Sequence, residues 1–281
     1  MTGIVLGVLS ALVWGVAGVT GSLASRKIGA TAAIGWAMLL SMIAAVPLAL
    51  LSGAPGRVDL RTALWVALIA ACMLGGLVCV YAGVRYGSIS VVAPVSATYG
   101  GVAALISILT GEPVSAIAIG SLALAVVGAI LASMGGSATP GQRYANQRIA
   151  ALLGAGAAVA WGIQLWAGGQ IQDDLGASWL VGCSRFVGVL VIAVPLLAMR
   201  RLVVDRAAIK YAFVAGVGEV AGFTLYLKSS AYGVAQAAVL TGQYGTVAAL
   251  IGVAVLKERL RGIQYIGLAV IVVAIIGLSV S

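Results

Sequence analysis

The sequence predicts an all-α integral membrane protein, with ten transmembrane helices arranged as two inverted five-helix repeats. Three observations support this prediction. Of the 281 residues, 62% are hydrophobic and only 8% are charged, whereas a soluble domain carries about a quarter charged residues. Apolar runs of about 20 residues recur along the chain, the length that a helix needs to cross a bilayer. The second half of the sequence also repeats landmarks of the first half.

The internal repeat is clearest in two segments that open with Tyr-Gly and close at a charged turn. These segments run from Tyr86 to Pro113 and from Tyr232 to Arg261. Landmarks recur in the same order, about 145 residues apart, which chance rarely produces. They are Trp14-Gly15 with Trp161-Gly162, Val46-Pro47-Leu48 with Val194-Pro195-Leu196, Tyr99-Gly100 with Tyr244-Gly245, and Glu112 with Glu258. We therefore predict two copies of one unit.

Each predicted span ends where the local composition changes. The first span ends at Arg26-Lys27 and Gly29, and the second ends at the turn residues from Ser52 to Gly56. Gly111-Glu112-Pro113 stops the fourth span, because glycine frees the turn and proline favours the first position of the next helix. A polar linker over residues 135–148 separates the repeats, residues 1–134 and 149–281. The spans cover residues 3–24, 31–52, 62–84, 88–109, 114–134, 149–169, 177–199, 208–228, 233–255 and 262–280.

Five spans in each repeat force the second repeat to insert upside down relative to the first. Proteins with such inverted repeats usually hold a substrate near the bilayer midplane, between the two halves. Lysines and arginines indicate the orientation, since twelve lie in loops after odd-numbered spans and three in the other loops. The positive-inside rule then places the odd-numbered loops in the cytoplasm and both termini outside.

Two charged residues lie deep inside predicted spans. Arg185 is the ninth residue of span 7, and Glu219 is near the middle of span 8. A charge at that depth costs at least about 2.5 kcal/mol on insertion scales, so it needs a partner or a function. The two spans form an antiparallel hairpin, and at about 1.5 Å per residue the two depths differ by about 5 Å.

The two charges have a structural and a functional interpretation. They are either a buried ion pair that offsets its own insertion cost, or the charged part of a substrate site in which Glu219 exchanges a proton. The aligned residues of the first repeat, Leu39 and Met73, are uncharged. This asymmetry favours function, because scaffolding tends to be shared between repeats.

Aromatic and amide side chains accompany these charges. Glu219, Phe223 and Tyr226 are spaced i, i+4 and i+7 on one face of span 8. Each aromatic or amide could instead serve helix packing, an interfacial belt or an interhelical hydrogen bond. As a set they describe a cavity with aromatic walls, which suits an organic solute better than a bare ion. The candidate substrate-binding residues are Arg185, Glu219, Trp14, Trp161, Gln164, Tyr81, Tyr99, Tyr226, Gln236 and Gln243, of which the last two share one predicted face of span 9.

Two prolines and two glutamates recur in both repeats. Pro47 and Pro195 lie within the second span of each repeat, where a proline removes a backbone hydrogen bond and kinks the helix. They are either matched hinges for alternating access or static kinks. Glu112 and Glu258 stand near the N-terminus of a following helix, where the helix dipole favours a carboxylate. We interpret both glutamates as structural.

Other function classes lack support in the sequence. The formal net charge of +9 comes from residues between apolar runs, so it sets topology and is not a nucleic-acid signal. The three cysteines have no metal-ligand spacing, and the chain has no histidine. No phosphate-binding lysine loop or Ser/His/Asp set is present. We therefore predict no enzyme activity, no metal and no cofactor.

The landmarks resemble those of the drug/metabolite transporter superfamily, in its EamA-like ten-helix branch. The segment Leu256-Lys257-Glu258-Arg259-Leu260 followed by Gln264-Tyr265-Ile266-Gly267-Leu268 is similar to that family's closing motif, and Thr110-Gly111-Glu112-Pro113 is similar to its weaker first copy. The resemblance implies two EamA-like repeats around a central cavity and secondary transport, most often export of amino acids, other metabolites or toxic organic compounds. Small four-helix members carry a proton-coupling Glu in their first helix. Span 1 here has no acidic residue, so Glu219 would have to perform that role.

These expectations form one leading hypothesis and three alternatives. The leading hypothesis is a multi-pass protein of the bacterial cytoplasmic (inner) membrane that exports small metabolites such as amino acids, with Arg185 meeting a carboxylate and Glu219 an ammonium. The alternatives are a multidrug or organic-cation proton antiporter, an uptake carrier for a neutral sugar or nucleoside, and a non-transporting membrane scaffold. The expected partners are a small-molecule substrate, the lipid bilayer and protons, without nucleic acid. The chain would act as a monomer or homodimer.

Overall fold

The computed structural model describes residues 1–86, 92, 95–133, 146–256 and 262–279, and every regular element in these ranges is a helix. Most of the predicted linker and Glu258 lie outside the described residues. The first half contains α1 (Thr2–Ile28), α2 (Ala30–Leu51), α3 (Leu60–Tyr86), α4 (Tyr99–Leu109) and α5 (Ala116–Ser133). The second half contains α6 (Gln147–Leu175), α7 (Ala177–Ala198), α8 (Arg206–Ser230), α9 (Val234–Thr241), α10 (Tyr244–Leu256) and α11 (Gly262–Ser279).

Helix length and composition support a multi-pass membrane protein. Six of the described helices are long and apolar enough to cross a bilayer, namely α1, α2, α3, α6, α7 and α8. Shorter apolar stretches of 10–17 residues form all or most of α4, α5 and α11. Many large apolar side chains on these helices face outward, for example Leu50, Leu109 and Ile276. Such a surface needs lipid around it, because contiguous exposed apolar area is rare in soluble monomers.

The ninth predicted span is interrupted in its middle. The prediction of one continuous helix over residues 233–255 is wrong, because α9 ends at Thr241 and α10 begins at Tyr244. At this break the Gln243 N–H bonds to the Leu240 carbonyl three residues back, at 3.1 Å. The first half has a matching turn directly before α4, where the Thr98 N–H bonds to the Val95 carbonyl at 3.2 Å.

The two halves interlock through equivalent glycine contacts. A Cβ atom at Gly15 of α1 would lie 2.5 Å from Val247 Cγ1 of α10. One at Gly162 of α6 would lie 2.6 Å from Val102 Cγ1 of α4. These close approaches are possible because glycine lacks a side chain, which is how small residues permit tight packing of membrane helices. Each half therefore places its first helix against the helix that follows the break in the other half.

Two aspartates start equivalent helices, α3 and α8. Asp59 accepts the Thr62 N–H and the Thr62 hydroxyl, both at 2.8 Å. Asp205 accepts the Ala208 N–H at 2.7 Å. Each carboxylate thus satisfies an N–H group that the first turn of a helix leaves without an intrahelical partner. The bonds from Thr62 and the nearby Arg57 and Arg61 lower the pKa of the Asp59 carboxyl below its ordinary value.

The two repeated prolines lie in different local structures. Pro47 lies inside the uninterrupted helix α2. Pro195 follows a five-residue π-helical turn, Val189–Ala193, within α7. Proline cannot donate the backbone bond that an α-helix requires of it, and π turns frequently occur at functional sites. The π turn lies in α7, the helix that carries Arg185.

Glu112 caps a helix of the other half, whereas the sequence pointed only to the helix that follows it. Its carboxylate accepts the Ala235 N–H, at 3.1 and 3.3 Å from its two oxygens, at the start of α9. It also accepts the Ser107 hydroxyl. Gly233 permits this approach, since its φ is +146° and a Cβ there would lie 3.0 Å from Glu112 Oε1. Tertiary packing brings α9 to Glu112.

Candidate functional site

The two breaks lie against each other. Tyr99 begins α4 and Tyr244 begins α10, and their ring centroids are 6.0 Å apart. Gly100 lets the two segments touch, because a Cβ there would lie 2.6 Å from the Ala238 carbonyl oxygen. The first turns of two helices, with N–H groups that lack intrahelical partners, therefore lie side by side.

Two tryptophans pack in equivalent positions on either side of the breaks. Trp161 lies on Gly76 of α3 and Trp14 lies on Gly222 of α8, where a Cβ atom would approach the indole rings to 2.2 and 2.5 Å. Trp161 meets the ring of Tyr99 edge-on at 6.0 Å and donates its N–H to the Met73 carbonyl at 3.3 Å. The buried N–H of Trp14 has no hydrogen-bond partner among the described residues.

Arg185 and Glu219 form an ion pair between two membrane-spanning helices, as both interpretations of the sequence allow. Arg185 Nη2 of α7 lies 3.2 Å from Glu219 Oε2 of α8. The two side chains differ in accessibility, because Arg185 is 3% exposed whereas the side chain of Glu219 is 42% exposed. Arg185 Nε is buried and has no hydrogen-bond partner in the described part of the chain. The arginine therefore belongs to the interior, and the glutamate presents a carboxylate to whatever occupies the adjacent space.

The charge of Glu219 acts on the tyrosines of the two breaks. Its charge is close enough to both Tyr99 and Tyr244 to interact electrostatically with each ring hydroxyl. We call Glu219, Arg185, Tyr99, Tyr244 and Trp161 the central cluster. It combines one accessible carboxylate, phenol groups and an aromatic wall. This chemistry suits an ammonium group, which a carboxylate and aromatic faces both attract.

Three other predicted site residues lie on α6, α8 and α9. Tyr226 is fully buried and donates its hydroxyl to the Leu165 carbonyl at 2.7 Å. Gln164 is buried in α6 and Gln236 is half-buried in α9. The side chain of Tyr81 lies outside the described residues.

Gln243 lies in the second break, and the hydrogen bonds of its side chain go to backbone carbonyls and not to the ion pair. Its Nε2 donates to the Ala125 carbonyl of α5 at 3.3 Å and to the Val239 carbonyl at 3.1 Å. The predicted common face of Gln236 and Gln243 depended on one continuous helix, which the break interrupts. Gln243 therefore contributes to a different part of the molecule from Glu219.

Tyr244 and Phe223 are absent from the predicted site residues. Phe223 is fully buried between Trp14 and Tyr226, with ring centroids 6.4 and 6.0 Å away. Tyr244 could have been found from the repeat itself, because it occupies the position that Tyr99 occupies in the first half. No group of three or more His, Cys, Asp or Glu side chains in the described ranges could hold a metal ion.

Comparisons with known proteins agree with this architecture. The EamA-like transporter family matches residues 1–134 and 148–280. A solved structure described only as "Crystal structure of protein" is 16% identical, covers 99% of this chain and 98% of its own, and has a TM-score of 0.79. At that identity the likeness concerns the fold alone. No curated protein matches the chain. Because the family covers almost the whole sequence, the chain belongs to the EamA-like transporter family, and it is a multi-pass membrane transporter of the drug/metabolite type.

Proposed function

We propose that this transporter moves small organic metabolites that carry an ammonium group, with amino acids as the leading class, and that it exports them from the bacterial cytoplasm by alternating access. One observation carries the proposal. A carboxylate that is 42% exposed, Glu219, lies within the membrane-spanning helix α8 and in electrostatic range of the tyrosines of two helix breaks. Interrupted membrane helices of this kind commonly form substrate and ion sites in secondary transporters.

Arg185 holds Glu219 in place and offsets the cost of its charge. The 3.2 Å contact fixes one carboxylate oxygen, while the exposed remainder of Glu219 is available to an ammonium. Among the described residues, Arg185 Nε–H also has no hydrogen-bond partner. If α7 moves at its π turn, this donor can meet the carboxylate of an amino acid. Glu219 is also the residue that would exchange a proton during the transport cycle.

Export of organic cations is the second candidate, and the burial of Arg185 favours it. With the guanidinium 3% exposed, only Glu219 meets a solute in this conformation. A hydrophobic cation needs no more than this carboxylate and the aromatic walls. In this mechanism Arg185 positions Glu219 and never touches the solute.

Two solutes that differ only in a carboxylate separate the candidates. Phenylalanine carries an ammonium and a carboxylate, whereas phenylalaninamide carries the ammonium alone. We would measure counterflow and proton-driven uptake of both, with uridine as a neutral solute, in proteoliposomes of the wild type, Glu219→Gln and Arg185→Gln. Asp173→Asn is the control, because it neutralises an exposed carboxylate at the end of α6.

The expected result is that Glu219→Gln lowers transport of both ammonium solutes at least tenfold, which corresponds to about 1.4 kcal/mol, while Asp173→Asn does not. Loss of phenylalanine transport alone in Arg185→Gln would support amino acids. Transport of phenylalaninamide but not phenylalanine by the wild type would support organic cations. Normal transport by Glu219→Gln would refute the proposed site. Transport of uridine alone would indicate a neutral-solute carrier, and no transport of any solute by the folded wild type would favour a scaffold.

A further inference from the structure

Trp14 and Trp161 occupy equivalent positions but differ in their hydrogen bonds. Trp161 Nε1 of α6 donates to the Met73 carbonyl of α3 at 3.3 Å. Trp14 Nε1 of α1 is buried and has no hydrogen-bond partner within the described ranges. A buried donor left without an acceptor is destabilising, and native structures rarely keep one.

The residue that accepts the Trp161 bond has a charged counterpart in the second repeat. The Trp161 ring rests on Gly76 and donates to the residue three positions earlier, Met73. In the second repeat the equivalent indole rests on Gly222, and the residue three positions earlier is Glu219. The contact seen in the first repeat therefore points to Glu219 in the second.

The Trp14 ring lies over the turn of α8 that contains Glu219. A Cβ atom at Gly222 would lie 2.6 Å from Trp14 Nε1, and the ring stacks on Phe223 at a centroid distance of 6.4 Å. Side chains of a helix point towards its N-terminus and neighbour the residues three and four positions earlier. Glu219 is three positions before Gly222 and four before Phe223, so its side chain occupies the adjoining part of the helix surface.

We propose that the Trp14 indole N–H is the second hydrogen-bond partner of the Glu219 carboxylate and binds it when Arg185 does not. In this structure Arg185 Nη2 lies 3.2 Å from Glu219 Oε2. The Glu219 side chain is 42% exposed, so rotation of this side chain can carry an oxygen to the indole. Trp14 is then a positioning residue that acts through Glu219.

The exchange of partners would link the two halves of the chain. Arg185 lies on α7 of the second half, whereas Trp14 lies on α1 of the first half. A carboxylate that leaves Arg185 for Trp14 therefore connects α8 to the other repeat. The role in transport rests on the proposed function, in which the carboxylate of an amino acid takes up the guanidinium and releases Glu219.

Nuclear magnetic resonance of the indole N–H groups tests the exchange without any solute. Full-length protein with ¹⁵N-labelled tryptophan in nanodiscs gives one indole signal for each of its six tryptophans, and Trp14→Phe identifies the signal of Trp14. Arg185→Met takes the guanidinium away from Glu219. Arg185→Met combined with Glu219→Met removes both charges, a replacement that buried ion pairs often tolerate. The Trp161 signal is the internal control, because its acceptor is a backbone carbonyl that none of these variants removes.

The Trp14 proton signal should move downfield in Arg185→Met, because a hydrogen bond to a carboxylate is charge-assisted and short. It should keep its wild-type position in the double variant, and the Trp161 signal should hold throughout. An unchanged Trp14 signal in Arg185→Met would overturn the proposal. Equal movement in Arg185→Met and in the double variant would show that the shift does not depend on Glu219 and would overturn it too.

Saturating phenylalanine, added to the wild type, tests the role in transport. The Trp14 signal should again move downfield, and Trp14→Phe should lower phenylalanine transport about tenfold, the effect of one hydrogen bond to a charged group. Trp179→Phe is the control, because it removes an indole N–H that donates to the Gly53 carbonyl at 2.9 Å, and it should transport normally. Movement in Arg185→Met without movement on addition of phenylalanine would support the second partner and contradict the proposed binding of an amino acid at Arg185.

Discussion

The two repeats share their packing and differ in their charges. Tryptophan lies on glycine, a tyrosine follows each break, and an aspartate caps α3 and α8 in both halves. The ion pair has no counterpart, since Leu39 and Met73 stand where the second repeat has Arg185 and Glu219. Features that are present twice hold the helices together. Those that are present once are where we expect the transported solute to bind.

The ion pair gives the largest expected effect on stability, and its two members should differ. Glu219→Ala leaves a guanidinium that is 3% exposed without its partner, and removing one member of a buried pair costs about 3–5 kcal/mol. Arg185→Ala leaves a carboxylate that is 42% exposed, so we expect about 1 kcal/mol. Thermal unfolding of both variants in detergent measures the difference. Equal losses would mean that the pair is buried as a unit and that Glu219 is not accessible.

The tryptophan–glycine contacts should be equally important in both repeats. Gly76→Ala and Gly222→Ala each place a Cβ against an indole ring, and overpacking of this kind costs about 1–3 kcal/mol. Gly75→Ala is the matched control, because nothing lies within 4 Å of a Cβ at that position and alanine favours a helix by about 1 kcal/mol. The melting temperature should fall for the first two variants and hold or rise for Gly75→Ala. A lower melting temperature for only one of these two variants would contradict the equivalence of the two repeats.

Tyr226 tests whether a buried aromatic near the ion pair serves packing or transport. Its hydroxyl is used by the Leu165 carbonyl, so Tyr226→Phe should cost about 1 kcal/mol, the net value of one hydrogen bond. Transport of phenylalaninamide should stay within about twofold of the wild type. A large loss of transport at normal stability would show that the Tyr226 hydroxyl takes part in the site.

The smallest expected effect concerns the cap of α3 and depends on pH. Because the pKa of Asp59 is lowered in the folded protein, its contribution to stability is present above the ordinary value of 3.8 and is lost as pH falls through the folded value. Asp59→Asn still caps the helix but cannot titrate. Melting temperatures between about pH 2 and pH 5 should therefore depend less on pH in the variant. The same slope in both proteins would contradict this role.

The sequence predicted some of these features because they depend on distance along a helix. The depth of Arg185 and Glu219 follows from the helix rise, and the resemblance to EamA-like transporters, which is confirmed, follows from the spacing of the landmarks. The hydropathy of the sequence does not reveal the break at Gly242-Gln243, since the segments on both sides are apolar. The contact of Glu112 with α9 and the bonds of Gln243 to α5 depend on tertiary packing, which one-dimensional periodicity does not contain.

The accessibility of Glu219 to solute is tested most directly by chemical labelling. A hydrophobic carbodiimide modifies carboxylates within the membrane, and mass spectrometry locates the label in protein reconstituted in lipid. We expect labelling of Glu219 that falls as a transported ammonium solute is added at saturating concentration, while labelling of Glu112, which caps α9, does not depend on the solute. Labelling of Glu219 that is unaffected by saturating solute would contradict a substrate site at this carboxylate.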